Sequence, residues 1–499
     1  MDTVVYPSID WLAITPLVVL LGGMMIGLVA ASLTKSWGRA IYGVSTAVLS
    51  LAALATSVVV WHDVGNDGVR TIINNALSVD YFTAFCWIGI TGALALVSLS
   101  TSDYLHREDS DGPEIYALYV SAALGGMIMA AANDLVVLFL GLETLSIAFY
   151  VLAASNRRRA ESQESGLKYF ILGGFASAFL LYGIALVYGA TGSTNVSAIG
   201  TVLATEVFVD GDDALLLAGV ALLLVGFAFK VAAVPFHFWT PDVYQGAPSP
   251  VTAFMASVGK FAAFAALLRV LAVALPTRSE EWRPVIWVLA VLSIVVGSIL
   301  AVVQTDAKRM LAYSSISHAG FVLIGVEALG HSGDTEGLPA SLLYLMIYAV
   351  LVVGTFTVVT LVTRTGDGRS DLSAFRGLGS ERPALALAMT VLLLAQAGMP
   401  ATSGFIAKFG VIKSAVTNES YALAIVAMVV SVIAAALYLR IMISMWLSEP
   451  ETGDDQREAV QVPWTAGVVV TGATVFTLLV GVWPNWLIEI ADKTGILAR

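Results

Sequence analysis

One cysteine, Cys86, is all that 499 residues contain, and it lies inside an apolar run. A single thiol builds no disulfide, and no zinc site or iron–sulfur cluster ligated by cysteines of this chain. Charge is scarce too: Asp, Glu, Lys and Arg make up 12% of the chain, against about 25% in soluble domains. No basic patch is interleaved with aromatics, so nucleic acid is not an expected partner. There is no P-loop and no glycine-rich dinucleotide fingerprint after a strand. The net charge of -11 sits mostly in connecting segments, such as Glu108-Asp109-Ser110-Asp111 and Glu449 to Arg457.

Hydrophobic residues are abundant instead, at 58%. A soluble fold of this length could not bury so much apolar surface, so the solvent must be lipid. Apolar runs of roughly 18 residues or more recur, each long enough to cross a hydrocarbon core of about 30 Å. The expected fold is an all-α polytopic membrane protein of about fourteen spans. They lie near 11–33, 38–61, 79–101, 114–132, 134–154, 164–190, 212–240, 248–275, 284–304, 309–329, 338–363, 383–417, 420–446 and 461–483. The first, Trp11 to Leu33, is too long for a signal-peptide core and follows no basic leader. Lys35 and Arg39, Arg157-Arg158-Arg159, Lys308-Arg309, and Arg364, Arg369, Arg376 and Arg382 all fall in odd-numbered loops. Even loops are nearly free of such residues apart from Arg278 and Arg283. The positive-inside rule then puts odd loops in the cytoplasm and both termini outside.

Several ionisable residues lie far from any loop. Glu143 is fourteen residues before Arg157, about 20 Å along a helix. Lys230, Lys260 and Lys408 sit deep in spans seven, eight and twelve, Lys168 lies shallower in span six, and His318 is inside span ten. A charge at a helix centre costs at least about 2.5–3.5 kcal/mol on insertion scales, so these groups should face the interior, pair with one another and touch water. Arg269, Lys413 and Arg440 are near helix ends and are expected to snorkel.

Beside Lys230 the stretch "FKVAAVPFHFWTPDVYQGAPSP" carries Pro235 and His237; "GMPATSGFIAK" places Pro400 ahead of Lys408. Proline removes a backbone donor, and irregular backbone survives at membrane depth only against protein or a wet cavity. Two interrupted helices five spans apart are expected of a duplicated transporter core, with spans 4–8 and 9–13 as inverted five-helix repeats. The chain then divides into 1–110, a three-helix segment; 111–277 and 278–447, the repeats; and 448–499, a loop and last helix. Water beside amines suits proton transfer, because a dry interior disfavours the lysine cation and a nearby carboxylate favours it. Arginine holds its proton too tightly for such work.

The stretches "FKVAAVPFHFWTPDVYQGAPSPVTAF", "NDLVVLFLGLETLSIAFYVLAA", "DAKRMLAYSSISHAGFVLIG" and "GMPATSGFIAKFGVIKSAV" resemble the antiporter-like subunits of proton-pumping NADH:quinone oxidoreductase, respiratory complex I. The resemblance covers spans four to thirteen. It implies a bacterial inner-membrane subunit that moves protons while quinone is reduced elsewhere, with FMN, iron–sulfur clusters and quinone in partner subunits and none on this chain. It implies that Glu143 pairs with Lys230, that Lys168 modulates that pair, that Lys260 is the central relay, and that Lys408 leads to the outer face. His318 and His237 would stand between them. The expected partners are other membrane-arm subunits, including antiporter-like neighbours, and the lipid bilayer. The alternatives are a subunit of a multi-subunit cation/proton antiporter, and a scaffold whose ion pairs are static.

Overall fold

The computed structural model describes residues 9–34, 40–108, 112–205, 210–363, 370–449 and 460–498. The predicted loop charges Lys35, Arg39, Arg364 and Arg369, and residues 109–111 and 450–457 of the two acidic segments, lie outside the described residues. The chain opens with α1 (Trp11–Leu33) and α2 (Ala40–Asp67), a hairpin of β1 (Arg70–Ile72) and β2 (Leu77–Val79), and α3 (Tyr81–Arg107). Then come α4 (Pro113–Ala131), α5 (Leu135–Ala153), α6 (Ala160–Thr191), α7 (Val196–Thr205), α8 (Asp210–Val231), α9 (Trp239–Gly246), α10 (Ser249–Phe254) and α11 (Lys260–Arg269). The second half holds α12 (Ser279–Val303), α13 (Ala307–Leu329), α14 (Gly337–Thr363), α15 (Leu378–Glu381), α16 (Pro383–Ala397), α17 (Ser403–Thr417) and α18 (Tyr421–Leu447), followed by α19 (Trp464–Val482) and α20 (Asn485–Asp492).

Thirteen helical segments of the described residues are long and apolar enough to cross a membrane, and the broken pair α16/α17 makes a fourteenth crossing. Expectation and structure differ in detail. The eighth crossing, Ser249–Ala274, is not a plain α-helix: π-helical turns at Met255–Gly259 and Val270–Ala274 flank α11. The stretch 192–213, read as loop, contains α7, and the β-hairpin and α20 were not foreseen. They carry no span-length apolar run to announce them.

Aspartates start several crossings. Asp134 accepts from the amides of Val136 and Val137, and Asp306 from Arg309, filling donors that a helix N-terminus leaves open. Two faces result. On the hairpin face, Asn133 and Asn195 both donate to the Asn75 carbonyl, and the turns at Leu275–Arg278 and His331–Glu336 lie alongside. The distal face carries Arg157, Arg158, Arg159, Lys308 and Arg309. The unit from α4 enters from the distal face and the unit from α12 enters from the hairpin face, as inversion requires. Asp10 and Ala498 both lie on the hairpin face, next to Arg70 and Asp80 respectively.

Several basic residues of the hairpin face are paired with carboxylates. Arg278 pairs with Asp213 and Glu281, Arg283 with Glu280, and Lys413 with Glu336. Arg70, which the loop reading overlooked, is clasped by Asp10 and Asp63 at 2.8 and 2.5 Å. Burial pushes the Asp10 carboxyl up, but the Ala13 amide and Arg70 outweigh it and hold it below its ordinary range. On the distal face, Lys308 and Arg309 are not loop residues: they form the first turn of α13, and Lys308 is fully buried with its ammonium on Ala247 O at 2.6 Å.

Arg269 does not snorkel. It is 1% exposed and grips Asp80, 0% exposed, through two 2.9 Å bonds, while Ala130 O and Thr83 Oγ1 take its other donors. Asp80 also accepts from the amides of Thr83 and Ala498. Every partner of this pair is present, which is the condition under which a buried ion pair is tolerated. Asp80→Leu alone leaves a bare guanidinium in the core and is expected to destabilise the chain by about 3–5 kcal/mol. Asp80→Leu with Arg269→Met is expected to recover most of that loss in a thermal-denaturation series in detergent.

Candidate functional site

Both interrupted crossings end their first half in the same way. In α8, Ala232 takes the left-handed conformation (φ 62°). Its amide returns to Phe229 O, and the Ala233 amide reaches Ala228 O. In α16, Gly398 (φ 88°) returns to Ala395 O and Met399 to Leu394 O. These are paired Schellman-type bonds, which stop a helix by satisfying its last carbonyls internally. Pro235 and Pro400 therefore do not end the helices. Each follows the stop and supplies no amide with which to restart the ladder. Side chains complete the first break: Trp239 Nε1 is a second donor to Phe229 O at 3.0 Å, and the Val234 amide donates to Ser293 Oγ of α12 at 2.9 Å.

The lysines occupy the ends so made. Lys230 is in the last turn of α8 and 6% exposed; its ammonium donates to Ser146 Oγ of α5 at 2.6 Å and lies 5.6 Å from the ring centroids of both Tyr150 and Tyr169. Lys408 comes from the second half-helix, yet it folds back across Gly398 and donates to Ala397 O, the terminal carbonyl of α16, at 2.9 Å, with the Phe321 ring 4.8 Å away. One ammonium precedes its break in sequence and the other follows it, but both sit at the carbonyl end of a half-helix, where the helix dipole favours a cation. Gln396 holds the place in α16 that Lys230 holds in α8, two residues before the left-handed stop, and donates to Thr355 Oγ1.

Between them lies Lys260, 3% exposed, directly after the Met255–Gly259 π-turn. Such turns inside α-helices recur at functional sites. Its ammonium donates to the carbonyl of Ser315 on α13 and lies 5.9 Å from the Tyr348 ring centroid. His318 is one turn further along α13. Its Nδ1 meets Tyr344 Oη at 2.6 Å and its Nε2 meets Tyr438 Oη at 3.1 Å; Tyr438 in turn reaches Ser314 Oγ at 2.6 Å. From Lys230 to the centre the connection is aromatic: Tyr169 stacks on Trp239 with centroids 4.4 Å apart, and Tyr244 follows at 6.2 Å from Trp239.

Three expected contacts are absent. Glu143 forms no ion pair with Lys230; Ser146, one turn along α5, takes the ammonium instead. One oxygen of Glu143, Oε1, is buried without a hydrogen bond from the described residues. Lys168 touches neither member of that pair. Its ammonium is bound at 2.7 Å to both Glu164 and Asp242, and Asp242 also takes Arg309 at 2.7 Å. Two nearer carboxylates outcompete a distant site, and Lys168 is 42% exposed. His237 is buried beside Phe238 and no hydrogen bond joins it to the lysines.

Residues 132–434 match the family described as NADH:quinone oxidoreductase/Mrp antiporter, TM. The chain belongs to this family. It is 39% identical, over 100% of both chains, to a Saccharopolyspora erythraea protein named NADH-quinone oxidoreductase subunit N. A chain of respiratory complex I from Thermus thermophilus superposes with a TM-score of 0.79 at 32% identity, covering 95% of this chain and 98% of that one. A chain of the Mrp complex from Dietzia sp. shares the fold, with a TM-score of 0.84 at 21% identity over 98% of this chain and 97% of that one.

Some residues of this family member escaped the sequence reading. Ser146 and Tyr150 stand three and seven residues after Glu143, on one helical face, and that spacing was the available signal. Tyr344 and Tyr438 come from α14 and α18, and no local pattern ties them to His318. Gly398 combines a left-handed backbone with close contact to Lys408. An alanine there must hold a left-handed φ at a cost of about 1–2 kcal/mol. Its Cβ would also stand 2.8 Å from Lys408 Cδ. Gly398→Ala is expected to lower thermal stability by that amount and to displace Lys408 from Ala397, read as a drop in proton translocation larger than the drop in assembled protein.

Proposed function

We propose that this chain is the N-type membrane-arm subunit of a bacterial NADH:quinone oxidoreductase, and that it moves protons along Glu143, Lys230, Lys260, His318 and Lys408. One observation carries the reading: the ammoniums of Lys230, Lys260 and Lys408, set deep in three crossings, rest on neutral acceptors, namely a serine hydroxyl and two backbone carbonyls. A lysine on a carboxylate cannot give up its proton without stranding the anion, whereas a lysine on a neutral acceptor can. The Asp80–Arg269 pair in the same chain shows what a static clamp looks like, with carboxylate and guanidinium fully matched. A scaffold would need only clamps of that kind.

In this reading each amine takes and yields one proton at Nζ, and the phenols around His318 hold its ring for transfer between Lys260 and Lys408. Glu143, at the half-exposed margin of α5, sets the charge state of Lys230 through space. Lys168, held by Asp242 and Glu164, ties α6 to α9 and α13 and steadies the first break. His237 stiffens that break by packing. Moving one charge against 100 mV takes about 2.3 kcal/mol. The chain supplies the proton path, and FMN, iron–sulfur clusters and quinone belong to partner subunits. The distal face is cytoplasmic, both chain ends lie outside, and segments 111–277 and 278–447 act as the paired inverted units.

The test is a tagged chain purified from its own membrane, with Lys230→Ala, Lys260→Ala and Lys408→Ala variants. NADH-oxidising and antiporter-like partners are expected to co-purify; recovery of cation/proton antiporter subunits alone would sink the assignment. Each variant is expected to assemble and to lose proton translocation by about tenfold or more, the range for removing a proton-transfer group. Normal pumping by the triple variant would remove the relay.

A further inference from the structure

The proposed relay has no assigned group beyond Lys408. From there, α13 continues toward the hairpin face. Phe321, which lies against the Lys408 ammonium, is six residues before Glu327, about 9 Å along the helix. Glu327 is a carboxylate in the last turn of a membrane-crossing helix with 3% of its side chain exposed. No lysine or arginine of the described residues pairs with it. Its two oxygens accept from Ser420 Oγ, at 3.0 Å each, and Oε1 also meets His331 Nε2 at 3.1 Å. His331 is 21% exposed, and so connects the buried acid with the surface. Arg283 contacts the same ring, with Nη1 at 3.1 Å from Nδ1 and 2.9 Å from Nε2, the nitrogen that also meets Glu327.

A carboxylate that only closed a helix end would be more cheaply served by an amide or a serine, since burying an acid without a cation is costly. Building on the relay reading above, we propose that Glu327 and His331 form the proton-release station of this subunit on the hairpin face. A proton from Lys408 Nζ arrives through bridging water on a Glu327 oxygen, making the neutral acid. The acid O–H passes its proton to His331 Nε2, giving imidazolium and restoring the carboxylate. The ring then gives the proton to bulk water and returns to neutral imidazole. Ser420 holds both carboxylate oxygens and is a positioning residue. Protons are conserved at each step and no electron moves.

The experiment compares Glu327→Gln, Glu327→Asp, Ser420→Ala and Lys408→Ala in the complete complex in inverted membrane vesicles. Assembled complex and proton translocation are measured for each. Glu327→Gln keeps the size and the contacts with Ser420 and His331 but carries no proton. It is expected to slow translocation about fivefold or more with the complex intact, while Glu327→Asp, which keeps a carboxyl, recovers most of the rate and Ser420→Ala, which removes only the positioning hydroxyl, loses less than Glu327→Gln. Should Glu327→Gln fail to assemble, His331→Gln tests the same step from the surface side, with the same expected loss. Loss in Lys408→Ala with normal translocation in Glu327→Gln would overturn the station alone. An equal loss in Ser420→Ala and Glu327→Gln would make the cluster structural and overturn it as well. Normal translocation in Lys408→Ala would remove the relay, and the station with it.

Discussion

A peptide group in hydrocarbon must find a hydrogen-bond partner inside the protein, and the centre of this structure is arranged around that demand. Two crossings are interrupted in mid-membrane. Each interruption exposes the carbonyl end of a half-helix. Left-handed residues at Ala232 and Gly398 fold the chain back so that most of the freed groups are satisfied locally. The Trp239 indole adds a second donor to the Phe229 carbonyl, and the Lys408 ammonium covers the Ala397 carbonyl. The breaks are thus stable and also cation-binding, because the same oxygens that need donors attract positive charge.

That coupling explains how one protein contains two kinds of buried charge. Asp80 and Arg269 are matched atom for atom and anchor α3 to α11. Lys230, Lys260 and Lys408 are matched to dipoles instead of ions. A dipole holds an ammonium weakly enough that the neutral amine is also accommodated. The first kind of charge fixes the fold, and the second makes transfer feasible. Asp242 works at the boundary, joining Lys168 of α6 and Arg309 of α13 to the short helix after the first break.

Fourteen crossings, two breaks and their inverted relation follow from apolar run length, proline position and an odd repeat number, all visible in the chain. The charged residues at depth were equally plain, since each stands out against apolar neighbours. The partners were not. Reading Glu143 with Lys230 assumed that opposite charges at similar depth meet; the serine one turn along α5 is closer to where the ammonium arrives. Lys168 looked free to act inward, but Asp242 lies 74 residues away in sequence and 2.7 Å away in space. Arg269 sits near a helix end, where snorkelling is cheap, and only its encounter with Asp80 keeps it in the core.

Composition and spacing by themselves determined that the solvent is lipid, how often the chain crosses it, where two crossings must break and which side chains would carry charge at depth. These are properties of one helix at a time, governed by transfer free energy and the backbone's need for donors. Tertiary structure decided which acceptor each ammonium meets, that Lys408 returns to the end of the preceding half-helix, and that His318 is held between phenols of two other helices. Those choices depend on the rotation and depth of packed helices, and a shift of one residue turns a side chain by about 100° around its helix.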